Sequence, residues 1–261
     1  MSETLSHKPV VGIRLWDPWS QAPSDGIHLH AIHASRPGKR FPLARSSSGV
    51  HTLHSIPHLD HAAEILPTGL VVELDDASAR VLPLRLEPTL PSDGIWSSVD
   101  DAFSGIAPEG SVPLFAHPSR VPPAGWVCLR ASLRRAGSGA PVPWAILEIR
   151  HASRLVAIGL SSSAGETVAA FAPPPERQRP ITRSADQPFD RRIWPLEVAF
   201  RWSPDRLTDS VAPTLASLAS QPTVAAQADV AGKFKTLQCG PGETILSSGP
   251  RPGSSTVILQ A

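Results

Sequence analysis

The sequence predicts an all-β protein built from two antiparallel β-sandwiches in tandem, and three observations carry that prediction. Proline (29) and glycine (18) together approach one residue in five of the 261, scattered rather than blocked, which suits short strands and frequent turns. Apolar residues alternate with polar ones at period 2 over segments of about five to eight residues, the mark of half-buried strands. The third observation is an internal repeat. Val10–Ser35 (VVGIRLWDPWSQAPSDGIHLHAIHAS) aligns without a gap with Cys128–Ser153 (CLRASLRRAGSGAPVPWAILEIRHAS), 118 positions later. Leu15 falls over Leu133, Ala22-Pro23 over Ala140-Pro141, Leu29 over Leu147, and His33-Ala34-Ser35 over His151-Ala152-Ser153. A second block follows, Ser46–Pro57 against Ser161–Pro174, with Gly49 over Gly165.

The elements follow in order. In the first unit, residues 8–91, Val11, Ile13 and Leu15 share one strand face, and Ile27, Leu29 and Ala31 share another. Asp17-Pro18 and Pro23-Ser24-Asp25-Gly26 supply the turns, and Val71–Leu74 and Val81–Leu86 close the unit. Residues 92–123 form a connector rich in Pro, Ser, Gly and Asp, with one short helical segment expected over Val99–Ile106. The second unit, 124–204, alternates through Val142–Ile149 and closes on Trp194–Trp202 (WPLEVAFRW), with an exposed loop over Ala172–Pro188. Residues 205–261 read as a C-terminal extension. A helix is expected over Asp209–Ser220, interrupted by Pro213, and then a β-hairpin from Lys235–Gln238, Thr244–Ser247 and Ser255–Gln260. The last strand is apolar and must pair with something, in this chain or another.

Charge excludes some functions. Lys and Arg total 24 against 23 Asp and Glu, a net charge of +1, so there is no electrostatic footprint for nucleic acid. No apolar run reaches 18 residues, so no membrane span is expected. Met1-Ser-Glu-Thr opens no signal-peptide pattern, and a cytoplasmic location is the expectation. Cys128 and Cys239 read as two reduced thiols.

Histidine is the clustered residue type: His28, His30, His33, His51, His54, His58 and His61 are seven of the ten. His28 and His30 point the same way on an extended strand, and with His51 and Asp60 or Glu64 they could frame a metal site with an open position. Against this, the histidines fall on the polar face of an alternating strand or in a loop. The second repeat places Ile146, Glu148, Thr167 and Ala170 where the first has His28, His30, His51 and His54, so the scaffold does not need them. The serine runs at Ser46 and Ser161 lack the Gly-x-Ser-x-Gly elbow and read as turns. No catalytic residue, cofactor or metal ligand is assigned. The aromatic residues of the connector, Trp96, Phe103 and Phe115, lie where no sandwich core calls for them and are candidate interface anchors. Val257, Ile258 and Leu259 of the last strand join them.

Several stretches carry a resemblance: VVGIRLWDP, DGIHLHAIHA, SGVHTLHSIP, PWAILEIR, RIWPLEVAFRW and the tail FKTLQCGPGETILSS…STVILQA. In these the chain resembles transthyretin-like, carboxypeptidase-regulatory-type sandwiches, and is similar to structural proteins of phage-tail-like contractile injection systems. The resemblance implies a non-enzymatic structural or adaptor protein, at the cap or terminal end of a particle or in its baseplate. Its partners would be cap, tube, sheath or baseplate subunits, in an oligomeric assembly without nucleic acid. The His cluster and the Arg-rich loop depart from that pattern. Two other readings compete: a His-liganded metal-dependent enzyme, and a carbohydrate- or peptide-binding β-sandwich module.

Overall fold

The structure is a computed structural model that describes residues 11–33, 38–53, 70–88, 103, 105–173, 194–204, 211–227, 237–239, 244–246 and 256–260. Among the described residues strand predominates, in several largely antiparallel sheets with one short helix, and the chain divides into two compact units. The first comprises residues 1–115 and 206–221, the second 116–205 and 222–261. The segment read as a C-terminal extension is therefore shared between them. The helix expected over 99–106 and the loop over 172–188 lie almost wholly outside the described residues.

In the first unit, β1 (Val11–Asp17) buries Val11, Ile13, Leu15 and Asp17 and turns Arg14 outward, as its alternation dictates. It pairs antiparallel with β6 (Val50–Leu53), Ile13 facing His51 and Val11 facing Leu53. β5 (Ala44–Arg45) extends the sheet beyond β6. At the other end of β1, β2 (Ala22–Pro23) pairs antiparallel and β9 (Val112–Pro113) parallel. A second sheet runs β4 (Phe41–Pro42), β3 (His28–His33), β7 (Leu70–Asp75), β8 (Leu84–Leu86). Its buried residues are Leu29, Ala31, His33, Leu70, Val72, Leu74, Leu84 and Leu86, one face of each strand.

The far edge of β8 is covered from distant sequence. The Arg85 N–H donates to the Pro213 carbonyl at 2.9 Å, and Arg85 bridges Thr214 in parallel. Thr214 then caps α1 (Leu215–Ala219), its Oγ1 accepting from the Ser217 N–H at 3.1 Å, and Leu215 and Leu218 are buried. The helix is shorter than the sequence pattern. Proline has no N–H and holds its neighbours extended, so the helical turn starts only after Pro213 and stops before Pro222.

In the second unit the strands join one sheet in the order β12 (Arg154–Leu160), β11 (Ile146–His151), β14 (Trp194–Arg201), β15 (Thr223–Gln227), β18 (Thr256–Gln260), β10 (Val127–Arg135), β13 (Glu166–Phe171). β16 (Leu237–Cys239) lies on β14 and β17 (Thr244–Leu246) on β10. The sheet encloses a core that includes Leu129, Leu133, Leu147, Ile149, Phe171, Leu196, Phe200, Trp202, Val257 and Leu259. β12 and β13 come together so closely that a Cβ on Gly159 would lie 2.5 Å from the Val168 carbonyl oxygen. The expected C-terminal hairpin is not formed among the described residues. β16 pairs with β14, while β17 and β18 both run parallel to β10. Each strand finds a longer apolar neighbour within its own unit, which satisfies more backbone groups than a short hairpin would.

The two units repeat the same pairings. Trp16 meets Pro23 in one, and Arg134 meets Pro141 in the other. Val11–Leu53 matches Leu129–Ala169, and the parallel pair Leu15–Val112 matches Leu133–Val257. Ala31–Val72 matches Ile149–Val198, Ala31–Phe41 matches Ile149–Ala157, and Leu74–Leu84 matches Phe200–Val224. The left-handed backbone positions coincide too: Gln21 (φ 52) with Gly139 (φ 66), Gly26 (φ 72) with Trp144 (φ 57), and Gly49 with Gly165 (both φ 78).

The last of these turns is built identically in both units. The Gly49 N–H donates to the Ser46 carbonyl at 3.0 Å, and the Gly165 N–H to that of Ser162 at 2.9 Å. The next residue donates its N–H to the serine Oγ, Val50 at 3.2 Å and Glu166 at 3.3 Å. The serine N–H returns a bond to that residue's carbonyl, at 2.8 Å in both.

Candidate functional site

The residues singled out as interface anchors fall in separate places. Trp96 lies outside the described residues. In the first unit, Phe103 and Phe115 pack edge to face, centroids 5.8 Å apart and planes at 78°, and both are 1% exposed. Their rings are taken up by one another and by the folded chain. In the second unit, Val257 and Leu259 are buried in the core and Ile258 is half-buried. β18 lies between β10 and β15, with Ser132–Arg135 along one side and Ala225–Gln227 along the other. The terminal strand that needed a partner has two, both in cis.

The histidines divide as well. His28 and His30 share the outer face of β3, opposite Asp75 and Glu73 on β7. Glu73 lies between two cations, Arg40 at 3.1 Å and Arg85 at 3.8 Å. His33 ends the inner face of β3 and is buried. His51 sits in the other sheet and on the buried side. His54, His58 and His61, with Asp60 and Glu64, lie outside the described residues. Among the described residues no three His, Cys, Asp or Glu side chains gather as a metal-binding group.

His51 is the polar residue whose environment departs most from the sequence reading, which put it on a solvated face. It is 2% exposed because it alternates in phase with Leu53, so one register buries both. Its Nδ1 has no hydrogen-bond partner. Burial, then the Arg45 guanidinium directly across β5, then His28 hold its pKa below the usual histidine value, while the Ile27 and Ile13 carbonyls pull the other way. The repeat itself carried a signal. The matching residue, Thr167, is also 2% exposed, and its Oγ1 is likewise unpartnered.

Other polar groups are engaged with the fold. The Ser161 hydroxyl, fully buried, accepts from the Ala145 N–H and donates to the Val142 carbonyl, both at 2.8 Å. Glu148, buried at the position matching His30, takes Arg150 at 3.2 Å on one oxygen and Arg201 at 3.3 Å on the other. Arg130 donates to the Pro118 and Arg120 carbonyls and braces the loop that carries Val121, the most exposed large apolar residue described, at 81%. Burial pushes the Cys128 thiol up, away from the reactive thiolate. No described helix is long and apolar enough to cross a membrane.

No family model matches the chain, and no curated protein does. Among solved structures, it is similar to the Bacillus anthracis TIE protein at 11% identity and a TM-score of 0.26, over 96% of this chain and 33% of that one. The chain thus spans about a third of the length of that protein. It is also similar to two mutants of the shaft pilin SpaA from Lactobacillus rhamnosus GG. The single mutant matches at 10% identity and a TM-score of 0.22, over 78% of this chain and 95% of that one. The double mutant matches at 10% and 0.23, over 99% and 92%. Likenesses this weak carry no argument about function.

Proposed function

We propose that the chain is a non-enzymatic structural or adaptor protein that assembles with other subunits of a multi-protein particle. The observation that carries this reading is the duplication of one set of strand registers. The polar side chains set on it, Ser46, Ser161, Ser162, Asp76 and Glu148, are held by backbone groups or by arginines rather than gathered in a cleft. A surface of this kind works by shape. Assembly would use outer strand edges, such as β5 with both residues exposed, and apolar projections on braced loops, such as Val121. The two units would be sandwiches of the transthyretin-like kind. From the sequence resemblance, the particle would be of the contractile injection type, assembled in the cytoplasm, with this chain at the cap, a terminal adaptor position or the baseplate.

The test is to tag the chain in its native host, pellet high-mass material from a gentle lysate, and image it by electron microscopy alongside metal analysis. The expected result is co-sedimentation with tubular particles labelled at one end. A monomer outside any particle, carrying stoichiometric zinc or iron, would overturn the proposal in favour of a histidine-liganded enzyme.

A further inference from the structure

At one matched, fully buried polar position the two units carry different chemistry. Where the second has Thr167, which cannot titrate, the first has His51. The ring lies on the inner side of β6 with Ile13 of β1 on one flank and Arg45 of β5 on the other, and Ile27 and His28 approach from the start of β3. The groups that face it or share its layer are few. Arg45 is ion-paired with Asp25, His28 opens β3, and His33 and Asp17 end the inner faces of β3 and β1. β7 and β8 turn leucines and Val72 inward, and Arg14 points outward. Among the described residues no carboxylate offsets the charge of a protonated His51 ring; only the Ile13 and Ile27 carbonyls favour it, and the Arg45 guanidinium repels it.

We propose that His51 makes the first unit acid-labile: protonation of its buried ring loosens the pairing of β6 with β1 and β5 in mildly acidic solution, while the second unit stays closed. The sign follows from linkage. The unfolded chain binds this proton near pH 6.5, and the folded chain binds it only at lower pH. His51 therefore leaves the first unit at full stability above about pH 6.5, and stability falls as the pH drops from there towards the folded value. Opening would expose the β1 and β6 edges, which are the groups a neighbouring strand can pair with.

Hydrogen exchange followed by mass spectrometry on the full chain, at pH 7.5 and 5.0 with the intrinsic rates corrected, reads each unit separately. Protection across 11–17 and 44–53 should fall between pH 7.5 and 5.0, because the unfolded chain takes up the His51 proton at a higher pH than the folded chain does. Protection across 127–135 and 166–171 should hold. His51→Thr, the residue the second unit uses, and His51→Gln, which keeps more of the bulk, should each remove the pH dependence. Equal loss of protection in both units, or a pH dependence that survives in either variant, would overturn the proposal. Should both variants fail to fold, titration of the His51 ring by NMR in the unaltered chain decides: a midpoint clearly below the ordinary histidine value supports it, and a midpoint at or above that value rejects it.

Discussion

The first unit joins β7 to β8 through a tight turn, and the second replaces that turn with an excursion. In the first, the chain passes from Asp75 to Leu84 through a loop tied to the Asp76 carboxylate, which accepts from the N–H groups of Ser78, Arg80 and Val81 at 3.0, 2.8 and 3.2 Å. In the second, the chain leaves β14 after Arg201, runs through residues 211–221, which belong to the first unit, and re-enters as β15 at Thr223. The edges are then closed differently. β8 is covered by Pro213 and Thr214, whereas β15 pairs with β18 and so merges what are two sheets in the first unit into one. Register is thus dictated by local rules, alternation and a left-handed residue at the right place, and these recur with sparse sequence identity. Edge closure is not local, and each unit reaches it with whatever chain is at hand.

The largest expected effects test those closures. Leu259→Ala should cost the second unit about 3–5 kcal/mol and Leu218→Ala the first a similar amount, since each empties a fully buried site. Hydrogen exchange should show the loss confined to the unit that holds the residue. If Leu218→Ala weakens only the second unit, the assignment of residues 206–221 to the first is wrong.

The twin turns give a sharper test. Gly49 and Gly165 share φ 78 and the same bonds, but their surroundings differ. A Cβ on Gly165 would lie 2.6 Å from the Leu133 carbonyl oxygen and 3.0 Å from the Val142 nitrogen, while on Gly49 the nearest atom is Pro23 Cβ at 3.4 Å. Gly165→Ala should cost roughly 2–4 kcal/mol, from backbone strain plus overpacking, and Gly49→Ala about 1–2 from strain alone. Calorimetry of the two variants side by side would settle it, and equal losses would mean that the turns are equally crowded.

Ser161→Ala removes one hydroxyl from two buried backbone groups and should cost about 1–3 kcal/mol in the second unit. The smallest effect belongs to Asp76. Burial raises its pKa, but the N–H groups of Arg80 and Ser78 and the Arg80 guanidinium outweigh it and hold the carboxyl below the usual value. Its contribution is therefore present above about pH 3.9 and is lost as the pH falls below that. Asp76→Ala should cost roughly 0.5–2 kcal/mol at pH 7 and less at pH 2, checked by denaturant melts at both.

Much of this was legible before any coordinates. The alternation of Val11, Ile13 and Leu15 placed β1; the gap-free block of the repeat matched Pro23 to Pro141 and the second block Gly49 to Gly165, which the registers and the shared backbone angles bear out. His51 could have been placed by the same logic, in phase with Leu53, but its residue type suggested a solvated face. Phe103 and Phe115 looked surplus to any core because the sequence does not say that each supplies the other's packing partner.

By itself the sequence determined which segments are extended, which side of each is apolar, and where glycines and prolines turn the chain, though not that Gln21 and Trp144 would be left-handed. These follow from period-2 geometry and from the steric limits on each residue, both of which act within a few residues. Only the tertiary structure decided who pairs with whom: β17 and β18 both along β10 rather than with each other, and Pro213, from distant sequence, on Arg85 at the edge of the first unit's sheet. Backbone hydrogen bonds are the same for every residue, so an apolar strand specifies that it must be covered on both sides but not by which chain segment.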